Sequence, residues 1–205
     1  MSARATRVVR VDPETPERAA LGHAARVLER GGVVAFPTET FYGLGAAALD
    51  PAAVRRIFEL KGRPETKPVL LLVDSIAMAE TVGEVSARAR ALMSRHWPGA
   101  LTLVLRARAS VPKDVTAGTD TVGVRLSPHP VARGLVGALG GPVTAPSANP
   151  SGLEPATTAS AVLAYFGDAL DLVLDGGPTP GGEPSTVLDT TVEPPRVLRR
   201  GAVKV

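Results

Sequence analysis

The chain has 205 residues, 44% hydrophobic and 21% charged, the balance of an ordinary globular protein long enough for one large domain or two small ones. It has no cysteine, no apolar run of the roughly eighteen residues that a membrane-spanning helix needs, and no apolar N-terminal stretch of the secretory kind; disulfides and thiolate metal sites are excluded, and a reducing cytoplasmic setting fits. A net charge of +3 admits nucleotide phosphates or RNA as partners without requiring them, aromatics at 3% argue against a base-stacking single-strand platform, and the three histidines, His23, His96 and His129, stand in no metal-ligand or catalytic-triad spacing.

In chain order, RVVRV at 7–11 predicts a short edge strand. Thr15-Pro16 offers an N-cap and an N1 proline for a helix over 17–30, which Gly31-Gly32 stops. VVAF at 33–36 reads as a buried strand, with PTET at its exit. Asp50-Pro51 repeats the cap-plus-proline signal, and the following helix turns Val54, Ile57, Phe58 and Leu60 toward the core. Residues 69–73 form a continuous apolar strand of the kind buried on both faces. A long helix over 75–95, broken near Gly83, ends before Trp97-Pro98-Gly99. Strands are expected at 101–106, 121–126, 142–145, 172–174, 186–188 and 197–199, and helices at 129–139 and 157–166. Strands and helices mix without a strict βα repeat, which implies a mixed sheet flanked by helices, an α/β fold. No repeat or linker divides the chain; GGPTPGGEP at 176–184 is its densest loop.

Several stretches have chemical potential. GLGAAA at 43–48 matches a dinucleotide fingerprint only on paper. Six residues separate it from its strand and the next strand begins only at Val69, so its glycines are expected to permit a turn. In KGRPETKP, Lys61, Arg63 and Lys67 share one proline-stiffened loop, a positive field suited to a polyphosphate. A solvated basic loop after a helix C-terminus would look the same. APSANPSG at 145–152 places Ser147 and Asn149 either side of Ala148, on one face if the segment is extended; a capping serine and a turn asparagine are the plainer reading. Thr121, Gly123 and Arg125 alternate on one strand face, Glu183-Pro184-Ser185-Thr186 closes the glycine loop, and Leu198-Arg199-Arg200-Gly201 ends the last strand. Each of these three has a purely structural reading.

In this order and spacing, PTETFYGLG, KGRPETKP, VGVRL, APSANPSG, EPSTVLD and VLRRGA resemble the YrdC-like family of threonylcarbamoyl-AMP synthases over nearly the whole chain. The resemblance implies a twisted α/β sheet with a large positively charged cavity. It also implies a nucleotidyl transfer: L-threonine, bicarbonate and ATP give L-threonylcarbamoyl-adenylate, pyrophosphate and water. The product would feed threonylcarbamoyladenosine formation on tRNA through a downstream transferase machinery, with direct contact to tRNA or double-stranded RNA left open and no membrane partner. By resemblance, Thr40, Arg125, the Ala145 backbone and Ser185 lie at the threonine site, with Arg125 the natural partner of the carboxylate. Arg63, Lys67, Thr121, Ser147 and Arg199 map onto nucleotide-contacting positions. Lys61 and Asn149 complete the KxR and SxN signatures, so Lys61, Arg63, Ser147 and Asn149 are the expected catalytic set. Mg²⁺ is implied through the ATP phosphates, with no protein metal site.

Two departures stand out. Leu72 occupies a position where some members carry histidine, and Arg200 replaces the proline of an LRPG pattern. No sequence follows Val205 to build the C-terminal domain of longer members, so a single domain over 1–205 is expected. The competing reading is a non-catalytic module that grips double-stranded RNA or tRNA. A third, the hydrogenase-maturing carbamoyltransferase that contains a similar domain, requires cysteine-rich zinc fingers that this chain lacks.

Overall fold

The computed structural model describes residues 5–64 and 66–205. Local capping chemistry sets most helix starts. The Asp50 carboxylate accepts the Ala52 and Ala53 N–H groups ahead of Pro51, and the hydroxyls of Ser75, Ser86 and Thr158 each accept one N–H of the helix they open. Gly62, at φ 55°, supplies the left-handed turn that ends the second helix. Thr15-Pro16 does not play its predicted part. The first helix starts at Arg18 behind Glu17, while the Thr15 and Glu14 N–H groups donate to Asp12 in an entry turn.

The elements run β1 (Arg7–Arg10), α1 (Arg18–Glu29), β2 (Val34–Pro37), β3 (Tyr42–Gly45), α2 (Pro51–Lys61), β4 (Leu71–Leu72), α3 (Ile76–Val82), β5 (Gly83–Glu84) and α4 (Ala87–His96). They continue with β6 (Leu101–Ala107), α5 (Lys113–Thr116), β7 (Thr121–Arg125), α6 (Pro130–Leu139), β8 (Val143–Thr144), α7 (Ala159–Phe166), β9 (Leu172–Asp175), β10 (Thr186–Asp189) and β11 (Arg196–Arg199). The predicted helix over 75–95 is two helices, and the break at Gly83 is a short strand on β6. The predicted strand over 69–73 contracts to Leu71–Leu72, though it is buried between two neighbours as expected.

The fold is the expected mixed α/β arrangement, but its strands form two sheets rather than one. The first has the order β1-β9-β2-β3; the second runs β11-β10-β6-β7-β4-β8, with β5 beside β6. The main correction lies at FYGLG, which is a strand and not a turn. Tyr42–Gly45 pairs antiparallel with β2, setting Gly43 opposite Phe36. A Cβ on Gly45 would stand 2.8 Å from a Phe36 ring carbon and 2.9 Å from a Val143 methyl, so glycine is what lets this strand lie between them. Bridges Gly43↔Ser147 and Ala47↔Val143 then join the two sheets. The polar turn 38–41 and the segment 145–149 are thereby held side by side where the sheets meet. Among the described residues, no helix is long and apolar enough to cross a membrane.

Candidate active site

Where the sheets meet, the fold leaves a cavity of about 640 Å³, within the usual size of a small-ligand site. The residues expected at a threonine site, Thr40, Arg125, Ala145 and Ser185, all reach its wall. So do Arg63, Thr121, Ser147 and Arg199 from the nucleotide set. Lys67 is exposed on its loop, and Lys61 and Asn149 are buried behind the wall.

Strand β7 presents Arg125 at one end. The residue is 4% exposed, and its Nη1 lies 3.4 Å from Glu39 Oε1. Burial pulls the guanidinium below the ordinary arginine range, and the Glu39 charge opposes that pull. The Ser127 hydroxyl donates to the other Glu39 oxygen. Around this pair the polar wall is ordered by short local bonds. The Thr38 hydroxyl donates to Phe41 O at 2.7 Å and lies 3.3 Å from the Thr40 hydroxyl, while Ser185 Oγ and Thr102 Oγ1 share a hydrogen bond of 2.9 Å. The Ala145 N–H is committed to Leu70 O at 2.8 Å, so the group it can offer a ligand is its carbonyl. Leu72 does not substitute for a cavity-facing histidine: it packs in the core with Phe36 and Val143, and Leu70 reaches the wall instead.

Two further cations, Arg199 and Arg63, line the same cavity. Arg199 donates from Nε and Nη2 to Ser185 O at 3.1 and 2.8 Å and from Nη2 to Ser185 Oγ at 3.0 Å. Burial first, then the nearby Arg125 charge, lowers its pKa. Gly201 is required just beyond, because a Cβ there would fall 2.1 Å from Pro184 O. The Ala202 N–H donates to that same carbonyl, which clamps the Ser185 segment from behind. Arg63 reaches the wall while holding its own loop closed, with Nη2 donating to Pro68 O at 2.8 Å. That carbonyl and Lys67 O, which accepts from Arg63 Nε at 3.3 Å, are near solvent, so Arg63→Ala should leave the melting temperature nearly unchanged. It should weaken ATP use roughly ten- to a hundredfold, the worth of a charge-assisted phosphate contact. Unchanged kinetics in that variant would take the loop out of the site.

Lys61 and the SAN segment differ from their expected arrangement. Ser147 and Asn149 do not display side chains on one face, because the Asn149 N–H turns back onto Ser147 O and breaks the extended run. Ser147 lines the cavity, whereas the Asn149 amide donates to Pro150 O and Leu153 O and shapes the next loop. Lys61, 3% exposed, donates to Ser147 O at 2.5 Å and Asn149 O at 2.6 Å. In return, the Ser151 N–H donates to Lys61 O. The ammonium thus ties the KxR loop to the SxN loop from within.

Burial, then the Arg63 charge, lowers the Lys61 pKa from 10.5 to about 8. A lowered lysine pKa means that the unfolded chain binds more protons across that interval. Stability should therefore rise with pH from about 8 to about 10.5, by on the order of 3 kcal/mol. Urea titrations across this range should show the rise in the parent chain and lose it in Lys61→Met.

Sequence reading puts the acid Glu39 with the hydroxyls of PTET where a small amino acid would be held, but assigns it no partner and no role of its own. Its signal was visible as the acid in PTET, but its pairing with Arg125 arises only when β2 and β7 come together.

The family model Sua5/YciO/YrdC, described as telomere recombination, matches residues 26–201. A threonylcarbamoyl-AMP synthase of Pyrococcus abyssi is 45% identical over 181 residues, covering 88% of this chain and 53% of that protein. One from Bacillus subtilis is 42% identical over 185 residues, covering 89% and 54%. The chain thus spans about half the length of these two relatives. The structure of P. abyssi Sua5 complexed with L-threonine superposes with a TM-score of 0.92 at 44% identity, covering 96% of this chain and 58% of that one. With the family match over most of its length and this agreement in fold, the chain belongs to the Sua5/YciO/YrdC family.

Proposed function

We propose that this chain makes L-threonylcarbamoyl-adenylate and pyrophosphate from L-threonine, bicarbonate and ATP. The observation that carries the reading is that one cavity is lined by a buried guanidinium, Arg125, with the hydroxyl residues Thr40 and Ser185, and by two further cations, Arg63 and Arg199. The first suits a small hydroxy-amino acid and the second a polyphosphate.

In this reading Arg125 takes the threonine carboxylate, with the Thr40 and Ser185 hydroxyls and the Ala145 carbonyl available to the substrate's remaining polar groups. The α-ammonium gives up a proton, and the resulting amine adds to the carbon supplied by bicarbonate, releasing water and leaving a carbamate. A carbamate oxygen then bonds to the α-phosphorus as the bond from that phosphorus to the pyrophosphate oxygen breaks. The protein supplies orientation and positive charge rather than a nucleophile. Lys61 contacts the Ser147 carbonyl, not its hydroxyl, so it is no base for that hydroxyl; Ser147 is assigned a positioning role. A Mg²⁺ carried on the triphosphate oxygens would neutralise the negative charge that develops there.

Transfer of the product to tRNA by a separate transferase, and a cytoplasmic setting, belong to the same proposal. A non-catalytic RNA module is less well supported, because Arg63 and Arg199 line the same concave site as the buried Arg125 rather than a stripe apart from it. Pyrophosphate release that requires threonine and bicarbonate together is the expected result. Release independent of either would overturn the reading.

A further inference from the structure

Glu39 and Arg125 form an incomplete pair. Their charges approach to 3.4 Å, yet Glu39 Oε1 and Arg125 Nε are both buried without a hydrogen-bond partner. A carboxylate placed only to neutralise an arginine would be expected to share the paired bonds that a guanidinium offers. This carboxylate is instead fixed from the far side by Ser127, whose hydroxyl donates to Oε2 and also accepts the His129 N–H at 3.2 Å. Its side chain is 15% exposed and that of Arg125 5%, so both charges act through a medium that screens them weakly. The neighbours of Glu39 on either side, Thr38 and Thr40, line the cavity.

We propose that Glu39 is a specificity-determining residue, which makes the Arg125 end of the cavity read a zwitterion rather than a carboxylate alone. The proposal rests on the reading above, in which the substrate carboxylate docks on Arg125. An isolated buried guanidinium would accept any small carboxylate. A fixed negative charge beside it weakens the field felt by a bare carboxylate. The same charge attracts a cation, and an α-ammonium is never more than two bonds from its own carboxylate carbon. Any α-amino acid seated on Arg125 therefore brings its ammonium into the field of Glu39. The effect is on binding and precedes the proton loss that carbamate formation requires.

The test compares threonine with its deaminated analogue, 2,3-dihydroxybutyrate, by calorimetry on the parent chain, Glu39→Gln and Ser127→Ala, without ATP or bicarbonate. The parent should favour threonine roughly tenfold or more. Glu39→Gln should weaken threonine while leaving the dihydroxy acid equal or tighter, so that the preference collapses. Ser127→Ala, which frees the Glu39 carboxylate, should move the ratio in the same direction by less. A merely structural role would weaken both ligands in parallel, and that result in either variant would overturn the proposal. Threonine binding that survives Arg125→Met unchanged would instead remove the docking reading on which it stands.

Discussion

Replacing Arg125 by methionine should raise the KM for threonine at least ten- to a hundredfold, the worth of one charge-assisted carboxylate contact, and should leave the KM for ATP nearly unchanged. The substitution has a second effect, on stability. It strands the Glu39 carboxylate, which is 15% exposed, without its counter-charge, and breaking such a pair typically costs about 3–5 kcal/mol. The two effects separate in the double variant Arg125→Met with Glu39→Gln, where no buried charge is left uncompensated. Its melting temperature should recover most of the loss while threonine use stays impaired. Recovery of threonine use along with stability would show that Arg125 acts only through folding.

Lys61→Met should lower kcat about a hundredfold with little change in either substrate's KM. Methionine fills the space, but the carbonyls of Ser147 and Asn149 lose the donor that holds them at 2.5 and 2.6 Å. Ser147 O keeps the Asn149 N–H, but the Asn149 carbonyl is left unpaired, at a cost of about 1–3 kcal/mol. Ser147 lines the cavity, and misplacing such a group by ~1 Å is enough for a hundredfold loss. Steady-state kinetics and a urea titration on the same sample check both parts. Loss of stability with normal kcat would reduce Lys61 to a folding residue.

What the sequence made legible was mostly local. Asp50-Pro51 and Ser75 announce their helices because a cap is decided within three residues. The break at Gly83 was visible for the same reason. Thr15-Pro16 misled because Asp12, three residues earlier, captures the N–H groups there. The GLG strand was hidden because its glycines answer to Phe36 and Val143, one of them nearly a hundred residues away. The site shows the same division. Motif by motif, the resemblance pointed to eight positions that do line one cavity. Which way each polar group turns depended on tertiary contacts. Asn149 shapes a loop, Lys61 ties two loops together, and Glu39 faces Arg125 only because the exit of β2 meets the end of β7.

The most direct measurement is mass spectrometry of the products formed from ATP, Mg²⁺, threonine and isotopically labelled bicarbonate. The proposed function calls for an adenylate that contains threonine and the labelled carbon, formed with one equivalent of pyrophosphate. An unlabelled adenylate, or ATP recovered unchanged from a folded sample, would contradict that assignment.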